Sequence, residues 1–171
     1  GLAYVAFLIR ADGTVGDSVV LASTGFPALD RETTEALAKC VFTPEKENGQ
    51  PIEAWVPVQY LWTIEGNHGM VYGKHVAAVA ARKGDANALY RLSILLNAAP
   101  KSDADRESAV VLLKSAAEKG AAAAQFELGR RYEQGTGMTA NLEEAMRWYE
   151  KAAAQGDVLA VQRLRMGRLL Y

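Results

Sequence analysis

The stretch AMRWYEKAAAQG, residues 145–156, has two weaker copies earlier in the chain. VVLLKSAAEKG ends at Gly120 and HVAAVAARKG ends at Gly84, so the three copies end at intervals of 36 residues. A helix-like phrase that returns at a fixed interval is typical of stacked structural repeats. The sequence therefore predicts a repeat architecture for the second half of the chain.

Each repeat has the pattern of a helix, a turn and a second helix. Turn-forming residues separate the two helical blocks, NAAPKSDAD at 97–105 in one copy and EQGTGMTAN at 133–141 in the next. We expect Asn141 to cap a helix N-terminus. We also expect Gly120 and Gly156 to end their helices in the left-handed conformation.

The last copy of this pattern resembles a Sel-one-like repeat, a relative of the tetratricopeptide repeat. The residues that carry the resemblance are Ala124, Gln125, Leu128, Gly129, Tyr132, Gly135, Gly137, Ala145, Trp148, Tyr149, Ala152, Ala153 and Gly156. The resemblance implies an all-α solenoid of antiparallel helical hairpins over residues 70–171, with the repeat domain itself at 74–171 after a linker at 66–73. It also implies a last helix that caps the stack and a concave face that binds another protein without catalysis.

A wide apolar arc on the second helix of that copy includes Met146, Trp148 and Tyr149. Such an arc suits a helix that packs against its own partner and against the next repeat. We therefore expect Trp148 to be buried between helices, and its replacement by alanine to cost about 3–5 kcal/mol of stability.

The first 65 residues show two strand patterns joined by a turn. Apolar side chains alternate along residues 3–9, and Asp12-Gly13 is a strong signal for a tight turn. A second strand is predicted from Val15 to Leu21. A third alternating run covers residues 54–64 and contains Pro57. Because proline removes one donor from the ladder of a sheet, this last strand is predicted to lie at a sheet edge.

A helix is predicted between the second and third strands. Pro27 and Asp30 open it, and its apolar face is expected to continue through Cys40 and Val41. Cys40 is accordingly interpreted as a buried, inert thiol. Residues 46–50, KENGQ, are interpreted as a loop. The order strand, strand, helix, strand predicts a small α+β domain at residues 1–65.

This domain resembles the C-terminal domain of TonB, the energy transducer of outer-membrane transport in Gram-negative bacteria. The residues that carry the resemblance are Gly1, Val5, Phe7, Ile9, Asp12, Gly13, Val15, Ser23, Gly25, Leu29, Asp30, Phe42, Pro44, Gly49, Val56, Pro57, Val58 and Tyr60. The resemblance implies that the last strand offers its free edge to an extended peptide, which joins the sheet. It implies an outer-membrane receptor peptide as one partner and energy transduction for transmembrane transport as an alternative function.

The candidate peptide-binding residues on that strand are Trp55, Val56, Val58, Gln59 and Leu61. An alternative is that Trp55 and Trp62 pack against the repeats or against a dimer mate. A homodimer through the first domain is a further expectation, because an apolar edge strand invites self-pairing.

The charged residues give little indication of a partner. The net charge of the chain is −1, which gives no indication of nucleic-acid binding. Residues 1–65 carry 4 basic and 9 acidic side chains, whereas residues 66–171 carry 15 and 11. This difference favours either two domains of different character or two solvated surfaces that happen to differ. The basic residues Arg163, Arg165 and Arg168 favour either an acidic partner or an ordinary solvated helix face.

The residues do not indicate catalysis. His68 and His75 have no Cys or paired carboxylate at ligand spacing, so no metal site is predicted. No cofactor is expected, and the chain is predicted not to be an enzyme. We expect a periplasmic protein that binds proteins or peptides. Because the sequence begins within a predicted strand at Gly1, we expect an inner-membrane anchor or a secretion signal upstream.

Overall fold

The structure is a computed structural model that describes residues 2–62, 68–98 and 100–168. The chain divides into two compact units, residues 1–62 and 63–171. The first unit contains strands and one helix, and the second is helical, as the sequence predicts. Helix α2 begins at His68, inside the stretch expected to be a linker.

A three-stranded antiparallel sheet forms the body of the first unit. Its strands are β1 (Leu2–Ile9), β2 (Val15–Ala22) and β5 (Ala54–Leu61). Their order is β2-β1-β5, so β1 is central and pairs with both neighbours. Helix α1 (Pro27–Leu37) lies in sequence between β2 and β5, which confirms the predicted order strand, strand, helix, strand.

The core of the first unit is built on alternate residues of β1. Ala3, Val5, Phe7 and Ile9 are almost completely buried. The side chains that pack against them come from all the other main elements of the unit: Val15, Leu37, Phe42, Val56 and Val58. Because β1 supplies the buried face and also pairs on both sides, the sheet is organised around this strand.

A motif between β2 and α1 fixes the start of the helix. The Asp30 carboxylate accepts a hydrogen bond from the Ser23 hydroxyl and another from the Thr24 N–H, at 2.8 Å. The Gly25 N–H donates to the Ser23 hydroxyl at 2.9 Å, and Gly25 has a φ of +88°. Only glycine adopts this conformation readily. The Ser23, Gly25 and Asp30 pattern is therefore a turn that ties the helix to the strand end.

Two predictions for the first unit were wrong. Helix α1 ends at Leu37, and both Cys40 and Val41 are exposed, because they follow the helix instead of lying on its apolar face. Residues 46–50 do not form an irregular loop. Strands β3 (Glu45–Glu47) and β4 (Gln50–Ile52) pair across Asn48 and Gly49, whose φ values are +51° and +81°. Positive φ at both central residues is the mark of a type I′ hairpin turn.

The helices of the second unit repeat at 36-residue intervals. The bounds are α2 (His68–Arg82), α3 (Ala86–Ala98), α4 (Asp103–Glu118), α5 (Ala122–Gln134), α6 (Leu142–Ala154) and α7 (Val158–Arg168). Successive helices pack against each other, as expected for a stack of hairpins. The starts of α3, α5 and α7 and the ends of α2, α4 and α6 keep the interval predicted from sequence.

Glycines and aspartates set the ends of these helices. Gly84, Gly120 and Gly156 have φ values of +84°, +93° and +84°, which confirms the predicted left-handed helix ends. The Asn141 side chain accepts from the Glu144 N–H at 3.1 Å, which confirms it as an N-cap. Sequence reasoning missed a second set of caps. Asp85 and Asp157 each follow one of the glycines and accept the N–H three residues later at 2.9 Å.

Close helix contact in the second repeat depends on Gly129 and Tyr149. A Cβ atom added at Gly129 would lie 2.8 Å from two ring atoms of Tyr149 and 3.0 Å from the Ala145 carbonyl oxygen. Tyr149 is 1% exposed. Trp148, in contrast, is only partly buried, with Lys151 Nζ 3.9 Å from the centroid of its ring. The prediction that Trp148 is the large aromatic buried between helices was wrong, and Tyr149 has that role.

We predict that Gly129→Ala lowers the free energy of unfolding by about 1–3 kcal/mol, because the new methyl group forces α5 and α6 apart. Urea denaturation measures this change. The control is Gly167→Ala in α7, where the nearest side-chain atoms lie 3.4 and 3.8 Å from the added Cβ. That variant is expected to gain up to about 1 kcal/mol from helix propensity. Equal effects of the two substitutions would contradict this account of the packing.

Candidate functional site, an open strand edge

Among the residues that the structure describes, β5 pairs only with β1, so it is an edge strand of the described sheet, as Pro57 predicts. Eight consecutive residues pair in an unbroken register from Leu2 opposite Leu61 to Ile9 opposite Ala54. The strand is therefore regular, without a bulge, over its whole length. An edge of this kind presents a row of main-chain groups that can accept another strand.

The direction of these groups follows from alternation along β1. Neighbouring residues of a strand direct their main-chain N–H and C=O groups to opposite sides. The Arg10 N–H donates to the Thr14 carbonyl oxygen at 2.9 Å, on the side of β2. By alternation Ala6 also bonds toward β2, whereas its neighbours Val5 and Phe7 bond toward β5.

Pro57 lies opposite Ala6, so its main-chain groups point away from β1. This is the one direction in which the missing N–H of proline costs the sheet no hydrogen bond. Trp55, Gln59 and Leu61 share the outward direction. We call the outward main-chain groups of Trp55, Pro57, Gln59 and Leu61 the β5 rim. Each of these four residues directs its carbonyl outward, and all of them except Pro57 also direct an N–H outward.

The candidate side chains divide between the two faces of β5. Val56 and Val58 pack against the core of the unit and are half-buried. Trp55 is half-buried on the opposite face, and Gln59 is exposed. The main chain of Leu61 pairs with Leu2, but its side chain lies outside the described residues.

Aromatic residues fix the end of β5. The Trp62 Nε1–H donates to the Thr33 hydroxyl at 2.8 Å, which ties the strand end to α1. The Thr33 hydroxyl in turn donates to the Leu29 carbonyl oxygen at 2.8 Å. Tyr60 lies edge to face with Trp62, with ring centroids 5.3 Å apart, and is 40% exposed. Trp62 thus packs within its own unit.

The other edge of the sheet, β2, has a different character. Its register with β1 shifts twice, so that Gly16 and Leu21 have no direct partner. Val19 and Val20 on this strand are 36% and 39% exposed. Bulges twist an edge strand and interrupt the even spacing of its main-chain groups. The β2 edge is accordingly a poorer template for strand addition than the β5 rim.

The repeat-signature residues lie in the packing core and in the turns. Leu128, Ala145, Tyr149 and Ala152 are buried, and Gly129 lies at the close contact described above. Gly135 and Gly137 have φ values of +69° and +71° in the turn between α5 and α6, and Gly156 ends α6. Tyr132 and Trp148 are only partly buried. Most of the signature therefore maintains the helical hairpins and is not available to a partner.

A polar network joins three helices of the second unit. The Tyr149 hydroxyl of α6 donates to the Glu133 carboxylate of α5 at 2.6 Å. The Arg163 guanidinium of α7 donates to the same carboxylate through Nε at 3.0 and 3.2 Å, and also through Nη2. Sequence reasoning missed this network because Glu133 and Arg163 lie 30 residues apart and form no local motif.

Protonation of these groups is coupled. Hydrogen bonds from Arg163 hold the pKa of Glu133 below its ordinary value, against the effect of burial. Burial, together with the hydrogen bond to Glu133, raises the pKa of Tyr149 well above its ordinary value. At neutral pH the network therefore consists of a carboxylate, a guanidinium and a neutral phenol.

The predicted basic residues at the end of the chain have separate roles. Arg163 is held by Glu133. Arg165 is exposed and occupies the position that is Ser93 in α3 and Gly129 in α5, where those helices are buried. The side chain of Arg168 lies outside the described residues.

We predict that Glu133→Gln costs about 1–2 kcal/mol of stability at pH 7, because it removes a partly buried ion pair. The folded-state pKa of Glu133 is lowered. The stability that the Glu133 carboxylate contributes is therefore fully present at pH values above the ordinary pKa of this side chain, 4.5. This stability is lost as the pH falls through the lowered folded-state pKa. The difference between wild type and variant, measured by urea denaturation from pH 7 to pH 3, should therefore shrink in acid.

The matched control is Glu143→Gln on α6, whose ion pair with Arg147 is exposed. Its cost is expected to be no more than about 0.5 kcal/mol. A Glu133 effect as small as the control, or one that grows in acid, would contradict the assignment.

The described part of the chain contains neither a metal-binding cluster nor a helix suited to cross a membrane. Among residues 2–62, 68–98 and 100–168 no group of three His, Cys, Asp or Glu side chains is arranged to hold a metal ion. None of the helices within those ranges has the length and apolar character needed to cross a membrane.

Curated relatives match about half of this chain. Chitin synthase regulator SKT5 of Saccharomyces cerevisiae is 42% identical over 93 residues, which is 53% of this chain and 13% of that protein. DAP3-binding cell death enhancer 1 is 41% identical over 86 residues in Mus musculus and 38% identical over 86 residues in Rattus norvegicus. In both cases the match covers 50% of this chain and 16% of the relative.

Two family models match in succession. Residues 1–63 match the model described as Gram-negative bacterial TonB protein C-terminal. Residues 86–120 and 122–157 each match the Sel1 repeat model. The chain therefore carries a TonB C-terminal domain followed by two Sel1 repeats.

Proposed function

We propose that this protein is a non-enzymatic periplasmic interaction module with two binding surfaces. In this proposal an extended peptide adds to the sheet at the β5 rim, and the Sel1 repeats bind a protein partner. The domain boundaries that we propose are residues 1–65 and 74–171. The observation that carries the proposal is the position of β5 at the edge of the sheet that residues 2–62 form, in a register that is regular over eight residues.

The contrast between the two edges of the sheet supports β5 as the docking strand. An added strand needs evenly spaced donors and acceptors over several residues. The two register shifts of β2 break that spacing, whereas β5 has none. Strand addition at β5 also continues the ladder next to Val56 and Val58, which already contact the core.

Main-chain bonds alone give weak binding. Each hydrogen bond contributes roughly 0.5–1.5 kcal/mol net, and micromolar affinity needs about 8 kcal/mol. Side-chain contacts must therefore contribute. Half-buried Val56 and Val58 and exposed Tyr60 form one row on β5, so we expect a peptide with apolar side chains at alternate positions facing that row.

The relatives support interaction and not catalysis. One is named a regulator and another a binding protein, and each shares only a small part of its length with this chain. Stacked helical repeats bury their signature residues and leave surface side chains free to vary, which suits protein recognition.

We predict that Gln59→Pro weakens binding of an extended apolar peptide about two- to tenfold, because it removes an outward N–H and leaves a peptide carbonyl unpaired. Isothermal titration calorimetry measures the affinity. The matched control is Gln59→Ala, which keeps the main-chain N–H and should bind as tightly as wild type. Unchanged binding by Gln59→Pro would reject the β5 rim as the site.

Proline at the neighbouring position, Val58, is expected to lower the stability of the sheet. The Val58 N–H points toward β1, so Val58→Pro removes a bond within the sheet. We expect this variant to lose about 1–3 kcal/mol of stability. A denaturation curve that separates Val58→Pro from Gln59→Pro would support the assigned direction of the rim.

The match of residues 1–63 to the TonB C-terminal model favours a second candidate function. In this alternative the protein is an energy transducer of TonB-dependent outer-membrane transport, and a receptor peptide occupies the rim. A transducer needs a membrane helix and a Pro-rich spacer in the full-length product, and their absence would reject this alternative. Activity of an alkaline phosphatase fusion, which requires export, tests the periplasmic location.

A further inference from the structure

We propose that Pro57 makes the β5 rim selective for a foreign strand over a second copy of this chain. This inference rests on the proposed strand addition at β5. The observation that carries it is the outward direction of Pro57 near the middle of an edge that is otherwise regular. Such an edge has no other interruption to prevent pairing with itself, whereas β2 has its two register shifts.

A foreign strand that adds to β5 encounters one missing N–H, that of Pro57. When a strand adds to β5, each outward residue offers one N–H and one C=O to the newcomer. Pro57 offers only its carbonyl, so one carbonyl of the added strand lacks its donor. The pairs at Gln59 and Leu61 form in full.

Pairing with a second copy of the chain involves two missing N–H groups, one from the Pro57 of each copy. If two β5 strands pair so that both prolines lie within the paired stretch, each copy brings its own missing N–H. When the prolines face each other, both bonds of that pair are absent. When each proline faces another rim residue, one bond is absent at each of two places. Every such register therefore loses two bonds.

The size of the discrimination follows from the net value of a hydrogen bond. One bond corresponds to about a two- to tenfold change in affinity. The selectivity of the rim for a strand without its own proline is expected to have that size. Restoring both donors multiplies the two factors, so an edge without proline would pair with itself up to about a hundredfold more tightly.

The test uses a synthetic peptide of residues 53–61, EAWVPVQYL, as the stand-in for a second copy. Val56 and Val58 of every peptide are N-methylated, which blocks the edge that β1 covers in the protein, so that only the edge containing residue 57 can pair. A second peptide has alanine in place of Pro57, and a third has N-methylalanine there, which lacks the N–H without being proline. Each is titrated by NMR into the wild-type chain and into the Pro57→Ala chain, with folding checked by circular dichroism. The Gln59→Pro chain is the control that reports binding away from the rim.

The alanine peptide is expected to bind wild type about two- to tenfold more tightly than the Pro57 peptide, with the N-methyl peptide like the Pro57 peptide. The Pro57→Ala chain should bind both the Pro57 and alanine peptides more tightly by a similar factor. If all three peptides bind both chains equally at the rim, strand addition stands and the role of Pro57 is overturned.

Two further results would also overturn the inference. If no peptide binds either chain at millimolar concentration, the rim does not accept strands, and the proposed function fails together with this inference. Sedimentation of the full chain gives an independent result. A wild-type dimer that Gln59→Pro dissociates would overturn the inference, because Pro57 would then not prevent self-pairing.

Discussion

The unbroken register between β1 and β5 is the constraint on which the first unit depends. It places Val56 and Val58 beside the core residues of β1, and it also fixes which main-chain groups of β5 face outward. Because the side-chain and main-chain alternations are coupled, a slip of β5 by one residue along β1 would turn Val56 and Val58 away from the core. The same slip would turn Pro57 toward β1, where its missing N–H would break the ladder. The core and the proline therefore specify one register together.

In the second unit the corresponding constraint is the 36-residue interval. Small residues at fixed positions allow close helix contact, as at Gly129 against Tyr149. Left-handed glycines close the second helix of each hairpin, and Asp85 and Asp157 begin the next helix directly afterwards. The network of Glu133, Tyr149 and Arg163 then links helices of neighbouring repeats. Interactions of this kind make the stability of a repeat stack a property of neighbouring units.

Features with a local cause could be predicted from the sequence. The period of 36, the left-handed glycines, the Asn141 cap and the edge position of β5 all follow from residue types at fixed spacing. Other features depend on where an element ends or on long-range contacts. Cys40 is exposed because α1 ends at Leu37, and Trp148 is only partly buried because its neighbour Tyr149 faces Gly129. The hairpin at Asn48-Gly49 does have a local signal, since Asn-Gly is a preferred pair for this turn, but the surrounding polar residues are also typical of a loop.

Amide hydrogen exchange measured by NMR reports the direction of the main-chain groups on β5. In the free protein the amides of Ala54, Val56, Val58 and Tyr60 should exchange slowly, because they bond to β1. The amide of Gln59 should exchange much faster, because it faces outward at the rim. Slow exchange at Gln59 in the free, monomeric protein would contradict the assigned direction, since the rim would then already be occupied or would point the other way.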